Sequence, residues 1–210
     1  LVDSGSEGLI VTGTTGESPT LSTEEKLRLY TEVKEAVGNR ATIVAGTGSY
    51  DTRESIHLSQ EAQARGVDAL LLVVPYYNRP TQEGMFQHFS AISGSTDLPC
   101  IVYNVPSRTV ASLSAETTIR LSQVPNIVGT KEASGNFAQI AEIIHGVDPK
   151  FRVWSGNDGD TLLVLSLGGY GVVSVASHLV GIQIRDMMDA FLSGQTVVAA
   201  ERHRNLLRLS

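Results

Sequence analysis

The chain has 210 residues, 41% hydrophobic and 18% charged, with a net charge of −6. That length suits one sizeable core rather than two, and the negative balance argues against nucleic acid or an anionic membrane surface as the main partner. A single cysteine, Cys100, excludes an internal disulfide framework, which points to a reducing, cytoplasmic setting with Cys100 as a small core residue. No apolar run approaches membrane-spanning length, and no signal peptide is expected.

In chain order, the opening LVDSG reads as the end of a helix running into a strand. Short β-branched runs then alternate with longer amphipathic stretches. Strands are expected at 8–12, 42–46, 68–74, 100–104, 126–131, 151–155 and 171–175. Helical patterns fall at 23–37, 53–65, 81–95, 114–122, 136–146, 159–168 and 180–194, and 196–210 reads as the start of another. STEEK at 22–26 has the form of a capping box, and Asp51 or Thr52 offers a cap for the second helix. Strands alternating with helices mean a parallel sheet, and strands apolar throughout mean one covered on both faces.

Seven such units suggest a (β/α)8 barrel with one unit missing; a doubly wound open sheet is the alternative. The spacing is nearly constant, with no insertion to mark a switch point. Polar residues also collect at the ends of strands: Thr14 and Thr15, Tyr76 and Tyr77, Tyr103 and Asn104, Lys131 and Glu132. A barrel brings those ends onto one face, where active sites of this architecture lie. The barrel is expected over 1–195, with 196–210 opening the C-terminal helical segment. A barrel missing one unit has two open edges, so low stability or association is expected of residues 1–210 by themselves.

IVGTKEASG at 127–135 ends an apolar strand on a lysine, a residue seldom fully buried. Lys131 is either solvated at the rim or held in a dry pocket where its proton is easily lost. Alternation groups Lys131 with Gly129 and Ile127, and Tyr103 with Ile101 and Val105. An amine and a phenol at matching ends of consecutive strands could serve as nucleophile and proton carrier. The Gly/Thr-rich loop VTGTTGESPTLS at 11–22 could hold a carboxylate through its amides and hydroxyls. It is no P-loop, since no Gly-Lys-Ser/Thr follows, and GTGSYDT at 46–52 lacks dinucleotide spacing. The histidines at 57, 88, 145, 178 and 203 show no metal-ligand spacing.

GTTGES at 13–18, PYYNRP at 75–80, YNVPSRT at 103–109, GTKEASG at 129–135 and SGND at 155–158 together resemble the dihydrodipicolinate synthase / N-acetylneuraminate lyase family, in order and across essentially the whole chain. The resemblance implies a (β/α)8 barrel of which this chain carries strands two to eight, lacking the first strand and most of the C-terminal helical segment, and in which Lys131, at the end of the family's sixth barrel strand, forms a Schiff base with pyruvate. It implies Tyr103 as proton carrier, Thr14 and Tyr77 as its relay with Tyr77 from a neighbouring subunit, Thr15 on the pyruvate carboxylate, and Gly156 and Val173 lining the pocket. Arg108 in YNVPSRT points to the synthase branch, where the matching arginine binds the carboxylate of L-aspartate 4-semialdehyde in lysine biosynthesis. The implied chemistry requires no metal or organic cofactor, and the implied assembly is a homotetramer, a dimer of dimers. A lysine-inhibition site would involve Ser18, Thr23, Lys26, Tyr50, Glu54 and Tyr76; Lys26 and Tyr50 depart from the inhibited pattern, so weak inhibition is expected.

Three other readings remain. A pyruvate-dependent aldolase acting on a sugar acid would share Lys131 and Tyr103. A non-catalytic barrel would dispense with them. A phosphate-binding barrel would rest on GGYGVVS at 168–174 alone.

Overall fold

The computed structural model describes residues 1–209. Its seven strands are β1 (Gly8–Val11), β2 (Thr42–Gly46), β3 (Ala69–Val73), β4 (Cys100–Asn104), β5 (Ile127–Glu132), β6 (Arg152–Ser155) and β7 (Gly171–Val172). They pair in parallel in chain order, β1 through β7. Helices α1 (Thr23–Val37), α2 (Thr52–Ala64), α3 (Gln82–Ser93), α4 (Pro106–Thr109), α5 (Ala115–Leu121), α6 (Phe137–Gly146), α7 (Thr161–Ser166), α8 (Ser177–Leu192) and α9 (Thr196–Leu206) connect and follow them. Helix starts are chemically specified. Ser22 and Glu25 close a reciprocal capping box on α1, and the Asp51 carboxylate accepts from the Arg53 and Glu54 amides at the start of α2.

Two apolar cores decide between barrel and open sheet. The larger joins one face of the strands (Ile43, Leu70, Leu72, Val102) to helix residues such as Phe89, Ile140 and Ile143. The smaller is built from strand and strand-end residues only: Val44, Ala69, Leu71, Ile101, Tyr103, Val105 and Ala133, with Ile10, Val73 and Trp154 against it. A doubly wound sheet would cover both faces with helices. Here helices cover one face, and the other packs on itself, as in the (β/α)8 barrel. Leu70 and Leu72 face outward while Ala69 and Leu71 face inward, the period-two signature of a strand between two layers.

The structure corrects several sequence expectations. Ile127 does not share the inner face with Gly129 and Lys131 but lies in the helix-facing core. The β4–β5 register jumps from Cys100↔Ile127 to Ile101↔Gly129, so Val128 is an extra residue, and the bulge reverses the alternation before it. The last strand ends at Val172 rather than 175, because the chain turns where the Asp158 carboxylate accepts from the Val175 and Ala176 amides and the Ser174 hydroxyl. The helix expected over 159–168 is the single element α7, preceded by a 3-10 turn at Asp158–Asp160. Helix α8 starts earlier than expected but breaks helical geometry at Val180, φ −131° and ψ 38°, the first residue of the expected range. Helix α9 runs to Leu206 and ties to α8 through Arg202 and Asp186, 2.8 Å apart. Among the described residues no helix is long and apolar enough to cross a membrane.

Candidate active site at the strand ends

Register places the inner-face residues Val73, Tyr103, Lys131 and Trp154 side by side across β3, β4, β5 and β6. The Lys131 Nζ lies 4.0 Å from the centroid of the Tyr103 ring. Of the two places open to a lysine at this strand end, Lys131 takes the inner one: it points into the barrel, partly shielded, rather than out to solvent. Burial pulls its pKa from 10.5 down to about 8; the Arg108 guanidinium pushes the same way, and Asp158 opposes them. Burial also raises the Tyr103 phenol, against a smaller opposing pull from Arg108, so the hydroxyl keeps its proton at neutral pH.

Two glycines near this lysine are held to hydrogen by close neighbours, Gly129 by the strand beside it and Gly156 by the lysine stem itself. A Cβ on Gly129 would collide with the Arg152 carbonyl and come 2.5 Å from Trp154 Cζ3, so the indole occupies the space a side chain there would need. A Cβ on Gly156 would sit 2.7 Å from Ala133 Cβ and 3.1 Å from Lys131 Cε. Gly156 thus borders the lysine stem, and its amide donates to the Glu132 carbonyl at 2.7 Å. Val173 follows the end of β7 and donates its amide to the Ser155 carbonyl at 2.8 Å.

A cavity of about 160 Å³ opens beside Tyr103 and is also lined by Gly13, Thr14, Val73, Tyr76 and Arg108. Tyr103 is thus common to the lysine cluster and the cavity. Thr15 lies exposed in the turn after β1. Tyr77 is 87% exposed, with an unusual positive φ of 68°, and does not line this cavity. Within the chain the structure brings together Lys131, Tyr103 and Gly156, and then Tyr103, Thr14 and Arg108; it does not bring Tyr77 to them.

How the β1 loop is held is not visible in the sequence pattern. Thr12 sits at φ 56°, a conformation that favours glycine. Its Oγ1 lies 3.0 Å from the hydroxyl of fully buried Tyr30 on α1, and both hydroxyls donate to the Gly46 carbonyl, at 3.2 and 2.8 Å. Gly46 has no side chain because a Cβ would meet Thr12 backbone. Only the glycine in TIVAG hinted at this contact; Tyr30 is 18 residues from Thr12 and carries no local signal. Near the other end of the loop region, Tyr50 packs edge-on against Tyr76, centroids 5.2 Å apart.

Fold and cluster together define a parallel α/β barrel with a partly buried amine at the carboxyl rim of its sheet. The model of the dihydrodipicolinate synthetase family matches residues 1–210. A protein of Dehalococcoides mccartyi named 4-hydroxy-tetrahydrodipicolinate synthase is 60% identical over 209 residues, covering 100% of this chain and 70% of its own. A dihydrodipicolinate synthase structure from Bacillus anthracis superposes with a TM-score of 0.97 at 47% identity, over 99% of this chain and 71% of that one. One from Cyanidioschyzon merolae with lysine bound gives 0.96 at 44% identity, over 98% and 70%. The chain belongs to the dihydrodipicolinate synthetase family.

Proposed function

We propose that this chain condenses pyruvate with L-aspartate 4-semialdehyde to 4-hydroxy-tetrahydrodipicolinate through a Schiff base on Lys131. The observation that carries the reading is an amine whose pKa is lowered to about 8, set against a protonated phenol on the barrel's inner face. A neutral amine attacks the pyruvate ketone, and loss of water leaves an iminium whose positive charge sits on the former lysine nitrogen. That charge acidifies the pyruvate methyl. Loss of a methyl proton gives an enamine, which adds to the aldehyde carbon of the second substrate. The amino group of that substrate then attacks the imine carbon, closes the ring and releases Lys131.

Tyr103 donates and recovers protons at the carbinolamine and the aldehyde oxygen. Thr14 passes them onward, joined by Tyr77 of a neighbouring copy, whose exposure fits a residue offered outward. Thr15 takes the pyruvate carboxylate, Gly156 and Val173 line the pocket, and Arg108 grips the carboxylate of the semialdehyde with its planar fork. Residues 1–195 supply the barrel, and 196–210 begin the segment that follows it.

The test is to incubate the protein with pyruvate and borohydride, map the adduct by mass, and measure steady-state kinetics with each substrate. Stoichiometric adduct at Lys131 and turnover of the semialdehyde are expected. An adduct at Lys26, Lys34 or Lys150 overturns the assignment of the lysine. Adduct at Lys131 with cleavage of a sugar acid instead of turnover overturns the second substrate.

A further inference from the structure

One residue beyond the Tyr103–Lys131 pair, the same two strands carry a second pair on the opposite face: Asn104 and Glu132, in register and both buried, 0% and 1% exposed. The Asn104 Nδ2 donates to both carboxylate oxygens of Glu132, 3.1 Å to each. Its Oδ1 accepts from the Leu113 amide at 3.0 Å, and Nδ2 also faces the Leu113 carbonyl at 3.4 Å. The orientation of the amide is settled by this network, since the Leu113 N–H needs an acceptor and the carboxylate needs a donor. Glu132 also accepts from the Ser134 amide at 2.8 Å, and the Ala133 amide donates to the Asn104 carbonyl at 2.9 Å.

These bonds join three pieces of the site from behind. They link the end of β4, the end of β5, and Leu113, where the segment 105–113 closes. That segment carries α4 with Arg108, and its last residue is held further by Gln139 Nε2 at 3.1 Å. Burying a carboxylate is costly, and every partner facing Glu132 here is a donor. For stability alone, an apolar pair would serve as well or better.

We propose that Asn104 and Glu132 are positioning residues, fixing from the outer face of the sheet how Tyr103 meets Lys131 and where the Arg108 segment stands over them. This rests on the function proposed above. Neither side chain touches substrate; each acts through the residue beside it in its own strand. A donor–acceptor pair has a direction, so it holds one strand register and one loop closure where an apolar contact would tolerate several.

The experiment follows from the polarity of the pair. In Glu132→Gln the new amide sets donor against donor at Asn104. In Asn104→Asp two carboxylates face each other. The double variant Asn104→Asp with Glu132→Gln restores complementarity between the two side chains with the polarity reversed; the Leu113 carbonyl loses its weak 3.4 Å contact but keeps the Gln139 Nε2 donor. The carboxylate introduced on β4 still accepts from the Leu113 amide, the amide oxygen introduced on β5 still accepts from Ser134, and the NH2 of that new amide donates back to the new carboxylate. The full chain of each is assayed for folded content by circular dichroism, for active sites by borohydride-trapped pyruvate, and for kinetics per trapped site. Both single variants are expected to raise the KM for aspartate semialdehyde at least tenfold per trapped site, and the double variant to recover to within threefold of wild type. Should Glu132→Gln change only the melting temperature or the number of active sites, with kinetics per site unchanged, the positioning role is overturned. It is also overturned if the double variant folds and is no better than the singles. Wild-type protein that traps no pyruvate at Lys131 would sink the proposed function instead, a distinct result.

Discussion

The sharpest consequence of the geometry is the pH at which Lys131 becomes a nucleophile. With its pKa held at about 8 rather than 10.5, the neutral fraction at pH 7 is about one in eleven instead of about one in three thousand, a gain of roughly 300-fold. The main cause is burial, so the gain belongs to the barrel interior and not to one partner. The assay mixes protein with saturating pyruvate from pH 6 to 10.5, traps imine with cyanoborohydride and reads adduct per chain by mass. The logarithm of the rate should climb with unit slope and level off near pH 8. In Arg108→Gln the break should move upward, because the guanidinium is the second cause of the depression. A wild-type rate that climbs with unit slope beyond pH 10 would show a lysine as solvated as any on the surface and refute the reasoning.

Replacing the same lysine by methionine should abolish trapping yet stabilise the fold. The unfolded state binds more protons than the folded state between about pH 8 and 10.5, so the lysine's penalty is full below that window and vanishes above it. The gain at pH 7 is at most ~3.4 kcal/mol and smaller in practice, because water reaches part of the side chain; urea titrations at pH 7 and pH 10.5 should show it large and then small. Tyr30→Phe removes the hydroxyl shared by Thr12 and the Gly46 carbonyl, and should cost about 1–3 kcal/mol in denaturant melts while raising the KM for pyruvate through the loosened β1 loop. A KM equal to wild type would detach that loop from substrate binding. Gly129→Ala drives a methyl against the Arg152 carbonyl and the Trp154 indole, for about 1–3 kcal/mol, with a shift in emission from the single tryptophan as the local reporter.

Repeated strand and helix patterns, the motif order and the polar strand ends were enough to read a barrel and to put Lys131 and Tyr103 in matching positions. These are local properties: period two in a strand, a cap before a helix, a glycine in a loop, each set by neighbours a few residues away. What tertiary structure alone decided is of another kind. The extra residue at Val128 reverses the face of Ile127, and only pairing with β4 reveals it. Trp154 fills the space above Gly129 because β6 lies beside β5 in one particular register. Tyr30 reaches Thr12, and Glu132 reaches Asn104 from 28 residues away, through contacts that no local period encodes. The same holds for the lysine pKa: the sequence places an amine at a strand end, but only the packed interior, by withholding water from the charged form, makes that amine a nucleophile near neutral pH.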